Sequence, residues 1–405
     1  MTVTAFRICV DDGVLADLDD RVARSRFVSP SDAVSWEAGA DPAYLRDLAS
    51  YWRDSFNWRA QEDRLNSYPQ FLAHTDAGSL HFVHLRAVTG PAESPVRLPL
   101  LLVHGWPSSF IEMLRLADRL TDPGRFGGDP ADARDVVIPS LPGFLFSTLP
   151  PGPLTRESMA RILHLVMTVE LGYDRYGAFG GDIGGTVAAW LGALFPDHVA
   201  GIHLIHPPFP ADFDARPLTP EEEAFLASEE KYDASDGGYS AIMSTRPDTI
   251  AATLNDSPIG LAAWIVDKLR DWSDCGGDLA TRFDVDTILS MVTLYWATAS
   301  IGSSMRQYYD YAHSSPRPAI TVPAAFTLSH ETGMIGFPRT IAERACTNIV
   351  SWNAPGKGGH FMAHEEPELL AAELNRSFAR GQTPATSTNA LVGRAEGQSR
   401  LDRRG

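Results

Sequence analysis

Cysteine is nearly absent from this sequence. Its three residues, Cys9, Cys275 and Cys346, are odd in number and far apart, which excludes a disulfide framework and any zinc-type spacing. A cationic excess is lacking too. The formal charge is −17, so nucleic acid and anionic membrane surfaces, which want basic patches, are excluded as partners. The opening stretch, MTVTAFRICVDDGV, has no basic start followed by a long apolar run, so no secretory signal is expected. Long hydrophobic runs are missing: the most apolar stretch, 98–103, is far shorter than the roughly 20 residues that cross a bilayer. Internal repeats are absent as well. What remains is the expectation of a soluble, cytoplasmic protein with reduced thiols. Its 405 residues, 44% of them hydrophobic, suffice for a large core.

Organisation follows from periodicity. Residues 14–22 and 42–53 read as amphipathic helices, the second with Asp41 as N-cap and Pro42 in its first turn. Residues 79–86 alternate like a strand. Apolar runs at 98–103, 136–138, 176–179 and 199–205 then alternate with helical stretches at 109–120, 158–171 and 186–194. That alternation predicts an α/β fold on a mostly parallel sheet. Strand signals vanish from 207 to 316, where helices are expected from Pro258 onward and over 288–301, with Leu261, Trp264 and Ile265 on one face of the first. Strands return at 320–326 and 349–352, and 367–378 closes as a helix. The expected division is an N-terminal meander (1–90) packing on core and cap, a core (91–206 with 317–380), a helical cap (207–316) and a disordered tail (381–405).

Three motifs carry chemistry. Gly180-Gly-Asp182-Ile-Gly-Gly185 lies between a short buried strand and a helix. Small residues around a central side chain at such a turn form a nucleophile elbow, which forces that side chain outward above the sheet. A capping aspartate in a glycine-rich turn would give the same short string. A phosphate loop would not, because no Gly-Lys-Ser/Thr follows. His104-Gly-Trp-Pro107 follows a strand, where the N–H groups of Trp106 and Ile183 can form an oxyanion hole. Gly358-Gly-His360-Phe places a histidine last in the chain, in the order expected for a triad. A carboxylate nucleophile suits displacement at an sp³ carbon, leaving an alkyl-enzyme ester that histidine-activated water then hydrolyses. The histidine needs a third carboxylate to orient it.

With these motifs the chain resembles the microsomal-type epoxide hydrolases in their soluble bacterial form. The likeness extends to Phe56-Asn-Trp-Arg-Ala-Gln-Glu, Leu65-Asn-Ser-Tyr-Pro-Gln-Phe, Leu254-Asn-Asp-Ser-Pro-Ile-Gly-Leu-Ala-Ala-Trp and Glu365-Glu-Pro-Glu-Leu-Leu. It implies an α/β-hydrolase fold and two cap tyrosines, Tyr239 and Tyr308 (with Tyr309 adjacent), that hold the epoxide oxygen and donate a proton. The family places its third triad member after a Phe-Pro pair. Here Ser329-His330-Glu331 stands near that place, so Glu331 is expected to orient His360, with Glu343 as the alternative. Trp106, Pro107 and Trp264 are the candidate substrate contacts. A hydrophobic or aryl epoxide and water are the expected partners, without metal or cofactor, and a homodimer is allowed. A haloalkane dehalogenase would share the aspartate chemistry but commonly has tryptophan where Ile183 stands. A non-catalytic homologue would generally lose triad members.

Overall fold

Nine strands make one sheet in the computed structural model, which describes residues 2–29, 35–75, 78–88, 97–211, 213 and 216–379. They are β1 (Thr2–Phe6), β2 (Gln70–Thr75), β3 (Gly78–Leu85), β4 (Leu100–Val103), β5 (Val136–Pro139), β6 (Tyr176–Gly180), β7 (Val199–Leu204), β8 (Ala324–Thr327) and β9 (Ile349–Asn353). Their order across the sheet is β1-β2-β3-β5-β4-β6-β7-β8-β9. From β5 to β9 the pairings are parallel, and those among β1, β2, β3 and β5 are antiparallel. The continuous apolar runs explain the parallel centre: β4, β5, β6 and β8 are buried at every residue, as strands covered on both faces must be.

Several boundaries differ from those expected, each for a local reason. The N-terminal stretch joins the core through the sheet, where β3 pairs with β5 and carries β1 and β2 with it. The helices of that stretch also reach the cap: Arg21 bonds Asp256, and Tyr51 and Gln61 both bond Asp286. The helix expected from 158 begins at Arg156 under a Thr155–Ser158 capping box and widens into a π-turn at Val166–Glu170. The run 288–301 divides into Val285–Ala297 and Ile301–Tyr309, broken where Ala299 takes a left-handed φ of 49°. The strand expected over 320–326 shrinks to β8, because Pro323 offers no N–H to a ladder; Ile320 keeps one bridge, to Cys346. The expected tail, 381–405, lies outside the described residues.

Between β7 and β8 the described residues form helices and no strand, the longest being Pro220–Asp236, Pro258–Trp272 and Val285–Ala297. This layer sits over the carboxyl ends of the parallel strands, where open α/β sheets bind their ligands. No described helix is long and apolar enough to cross a membrane.

Candidate active site

The parallel strands β4, β6, β7, β8 and β9 deliver the site's groups beyond their carboxyl ends. β6 runs through Gly181 into the helix Asp182–Leu194, which starts at Asp182 itself, four residues before the expected 186. Asp182 has φ 51°, the strained conformation of an elbow. Two glycines make the turn feasible. A Cβ on Gly184 would lie 2.0 Å from the Val103 carbonyl oxygen, and one on Gly105 would lie 2.4 Å from Asp182 Oδ1. The elbow and the His104–Pro107 loop are therefore in direct contact. The Trp106 N–H donates to Asp182 Oδ1 at 2.8 Å. The Ile183 N–H belongs to the first helical turn, where such groups lack partners within the helix. His104 is structural: burial pushes its pKa down to about 4, and its Nε2 accepts the Leu141 N–H at 3.2 Å.

β8 and β9 lead to the loops of Glu331 and His360, joined by the His330 N–H donating to the Gly358 carbonyl at 2.7 Å. His360 Nδ1 lies 2.7 Å from Glu331 Oε2, and His360 Nε2 lies 4.0 Å from Asp182 Oδ2. The His360 loop is also pinned to the cap. The His360 N–H donates to the Trp272 carbonyl at 2.8 Å, and buried Glu365 accepts from the Asp274, Gly359 and Phe361 N–H groups. Glu343, by contrast, pairs with Arg339 on the exposed face of the helix Arg339–Ala345.

A second histidine, His206, comes from the end of β7 and was not anticipated. Its Nδ1 accepts the Asp182 backbone N–H at 2.6 Å, and its Nε2 lies 2.8 Å from Glu331 Oε1. The only sequence signal was its position just beyond a strand at the sheet's carboxyl edge. The two contacts fix protons: Nδ1 accepts, so neutral His206 carries its hydrogen on Nε2, toward Glu331. His360 then gives its Nδ1–H to the other carboxylate oxygen and turns Nε2 toward Asp182. Burial alone would raise the Glu331 carboxyl, but His360 and His206 outweigh it and hold Glu331 well below the usual carboxylate range. Burial would lower His360; Glu331 and then Asp182 outweigh it and push its pKa up to about 9.

Ligand atoms of His206, Glu331 and His360 lie within 4.8 Å of one another, a spacing that could hold a cation. The donor set fits poorly. A metal on His206 Nε2 would move the ring proton to Nδ1, so that two donors, Nδ1–H and the Asp182 N–H, would face each other.

A cavity of about 560 Å³ opens over Asp182, with Ile183, His206, Glu331, His360 and the cap residues Tyr239 and Tyr308 in its wall. Burial first, and the Asp182 charge second, raise both tyrosine pKa values, so the phenols stay protonated. The Trp106 ring stacks on Tyr239 at 5.7 Å and meets Tyr308 edge-on at 6.0 Å. Trp106 and Pro107 are thus buried behind the wall and do not line the cavity. Tyr309 is 43% exposed and also outside it. Trp264 does not reach the cavity either: it faces a separate cleft beside Phe27 and Leu45, because its position on the helix Pro258–Trp272 points toward the N-terminal segment.

Known proteins share this arrangement of chain. Residues 3–113 match the family model described as "Epoxide hydrolase N terminus", and residues 99–229 match that of the alpha/beta hydrolase fold. An epoxide hydrolase homologue from Stigmatella aurantiaca is 37% identical over 388 residues, covering 93% of this chain and 84% of its own. Epoxide hydrolase 1 of Oryctolagus cuniculus is 32% identical over 408 residues, covering 92% and 88% respectively. The solved structure of Aspergillus niger epoxide hydrolase superposes with a TM-score of 0.79 at 30% identity, over 93% of this chain and 96% of that one. The chain belongs to the epoxide hydrolase family, on the α/β-hydrolase fold.

Proposed function

We propose that the protein converts an epoxide to a vicinal diol through a covalent ester on Asp182. Asp182 Oδ2 attacks a ring carbon, and the carbon–oxygen bond breaks. Tyr239 and Tyr308 hold the departing oxygen, and one of them gives it a proton, becoming a phenolate. Esterification removes the Asp182 charge, which is one of the causes that hold His360 protonated. His360 then sheds its proton, which restores the phenol. Neutral His360, oriented by Glu331, takes a proton from water through Nε2. The resulting hydroxide adds to the Asp182 carboxyl carbon. Charge develops on Oδ1, where the Trp106 N–H already donates at 2.8 Å and the Ile183 N–H is adjacent. Collapse breaks the ester bond. The added hydroxyl's proton passes to the leaving oxygen, giving the diol, the Asp182 carboxylate and protonated His360, as at the start.

One observation carries this reading. A buried carboxylate orients His360 so that Nε2 stops 4.0 Å short of Asp182 Oδ2, while a backbone N–H holds the other oxygen. A nucleophile and a base for its second step are thus placed side by side. Replacing Asp182→Ala should lower diol formation from an aryl epoxide such as styrene oxide by about 10⁴–10⁶-fold, the scale seen when a nucleophile is removed. Turnover within tenfold of the parent would overturn the mechanism.

A further inference from the structure

The chain carries 51 acidic residues against 34 basic ones, yet the wall of the catalytic cavity includes two arginines, Arg156 and Arg317. Neither has an ion pair among the described residues. Arg156 is 9% exposed; its Nη1 donates to the Gln307 carbonyl at 2.8 Å, its guanidinium covers the Tyr311 ring at 4.6 Å, and its Nε is buried without a partner. Arg317 donates through Nη2 to the Phe209 carbonyl at 2.9 Å, and its Nη1 is likewise buried without a partner. Ser314 Oγ, on the same wall, is a third buried polar atom with none. Burial lowers the pKa of both guanidiniums; at Arg156 Tyr308 and then the Asp182 charge offset it in part, acting across the cavity and not in contact, and at Arg317 no carboxylate does.

Buried cations are ordinarily paired, because leaving one unpaired costs several kcal/mol. Here Arg156, buried, and Arg317, half-buried, share one cavity, in a protein with acidic groups to spare. Asp182 and Glu331 share the cavity wall without pairing either arginine, and the cavity must also admit a substrate whose ring reaches Asp182, so a contacting carboxylate can arrive with the substrate. A guanidinium presents a planar fork of N–H donors, which matches the planar, two-oxygen edge of a carboxylate. From these positions, and on the epoxide reading above, we infer that the substrate is an epoxide bearing a carboxylate, held by Arg156 and Arg317 with Ser314 while the ring lies at Asp182. The expected substrate thereby shifts from a purely hydrophobic or aryl epoxide to an amphipathic acid.

The test compares terminal epoxy alkanoates of graded length with their methyl esters, in the parent protein and in Arg156→Gln, Arg317→Gln and Arg317→Lys. The ratio of kcat/KM for acid over ester is read within each protein, so partial loss of folded enzyme cancels. At the best chain length the parent should favour the acid by about 10–100-fold, the scale of a hydrogen bond to a charged group. Each glutamine variant should bring the ratio toward unity, and Arg317→Lys should restore part of it. Ester turnover with no preference for the acid at any length, or a preference unchanged in both glutamine variants, would overturn the inference and leave the epoxide reading standing. Turnover of neither substrate would overturn both.

Discussion

The sheet end and the cap hold their reactive groups in different ways. At the sheet end, Asp182, His206, Glu331 and His360 form a closed chain of contacts: 2.6 Å from the Asp182 N–H to His206, 2.8 Å to Glu331, 2.7 Å on to His360, and 4.0 Å back to Asp182. Direction and charge are set there by hydrogen bonds. In the cap, Tyr239 and Tyr308 are held by ring packing, on Trp106 at 5.7 and 6.0 Å, with Trp272 at 5.1 Å from Tyr239. Packing fixes a phenol ring while leaving its hydroxyl available to a new partner. On the proposed reaction the cap serves ring opening alone, whereas the sheet end supplies both the nucleophile of that step and the base of ester hydrolysis.

That division can be broken most severely at the tyrosines. Replacing both by phenylalanine should slow ester formation by about 10²–10⁴-fold, the usual contribution of a general acid, and each single change by about tenfold. Rapid-quench measurement should show ester hydrolysis unaffected. A double variant that forms ester at the parent rate, or that slows hydrolysis equally, would dissolve the distinction.

A smaller effect is expected at His206. His206→Gln can still reach Glu331 with an amide donor, whereas His206→Asn keeps an acceptor near the Asp182 N–H and loses that donor. Ester hydrolysis should fall by about tenfold in the asparagine variant and less in the glutamine variant. Equal rates in both would mean that His206 serves folding alone.

The smallest effect is a titration. His360 should lose its proton at about 9 in the free protein. Asp182→Asn, which copies the neutral ester, should lower that value by about one to three units, as expected for removing a charge some 4 Å away. Imidazole NMR reads the shift. The linked stability has a definite sign. A raised histidine pKa stabilises the folded state fully below about 6.5, and that part is lost as pH rises through about 9. No downward shift in the asparagine variant would remove the proposed priming of the base.

How much of this was legible in the sequence depended on whether a feature is local. The elbow could be read because a tight turn must have small residues beside Asp182, and the central strands because apolar runs have one compact use. β1, at the sheet edge, and its neighbour β2 were not, since incompletely buried strands of mixed composition give little periodic signal. The aromatic character of Trp264 points to the substrate, but only the azimuth of its helix decides which cleft it meets. His206, Arg156 and Arg317 have no motif: their meaning lies in what they face, which only the folded chain supplies.

The central claim, that the reaction passes through a covalent ester on Asp182, is tested most directly by intact-mass spectrometry of His360→Gln mixed with excess epoxide. This variant retains the nucleophile and the cap acids but lacks the base for the second step. The account predicts one added substrate mass, located on the peptide that contains Asp182. No adduct, or an adduct elsewhere in the chain, would contradict it.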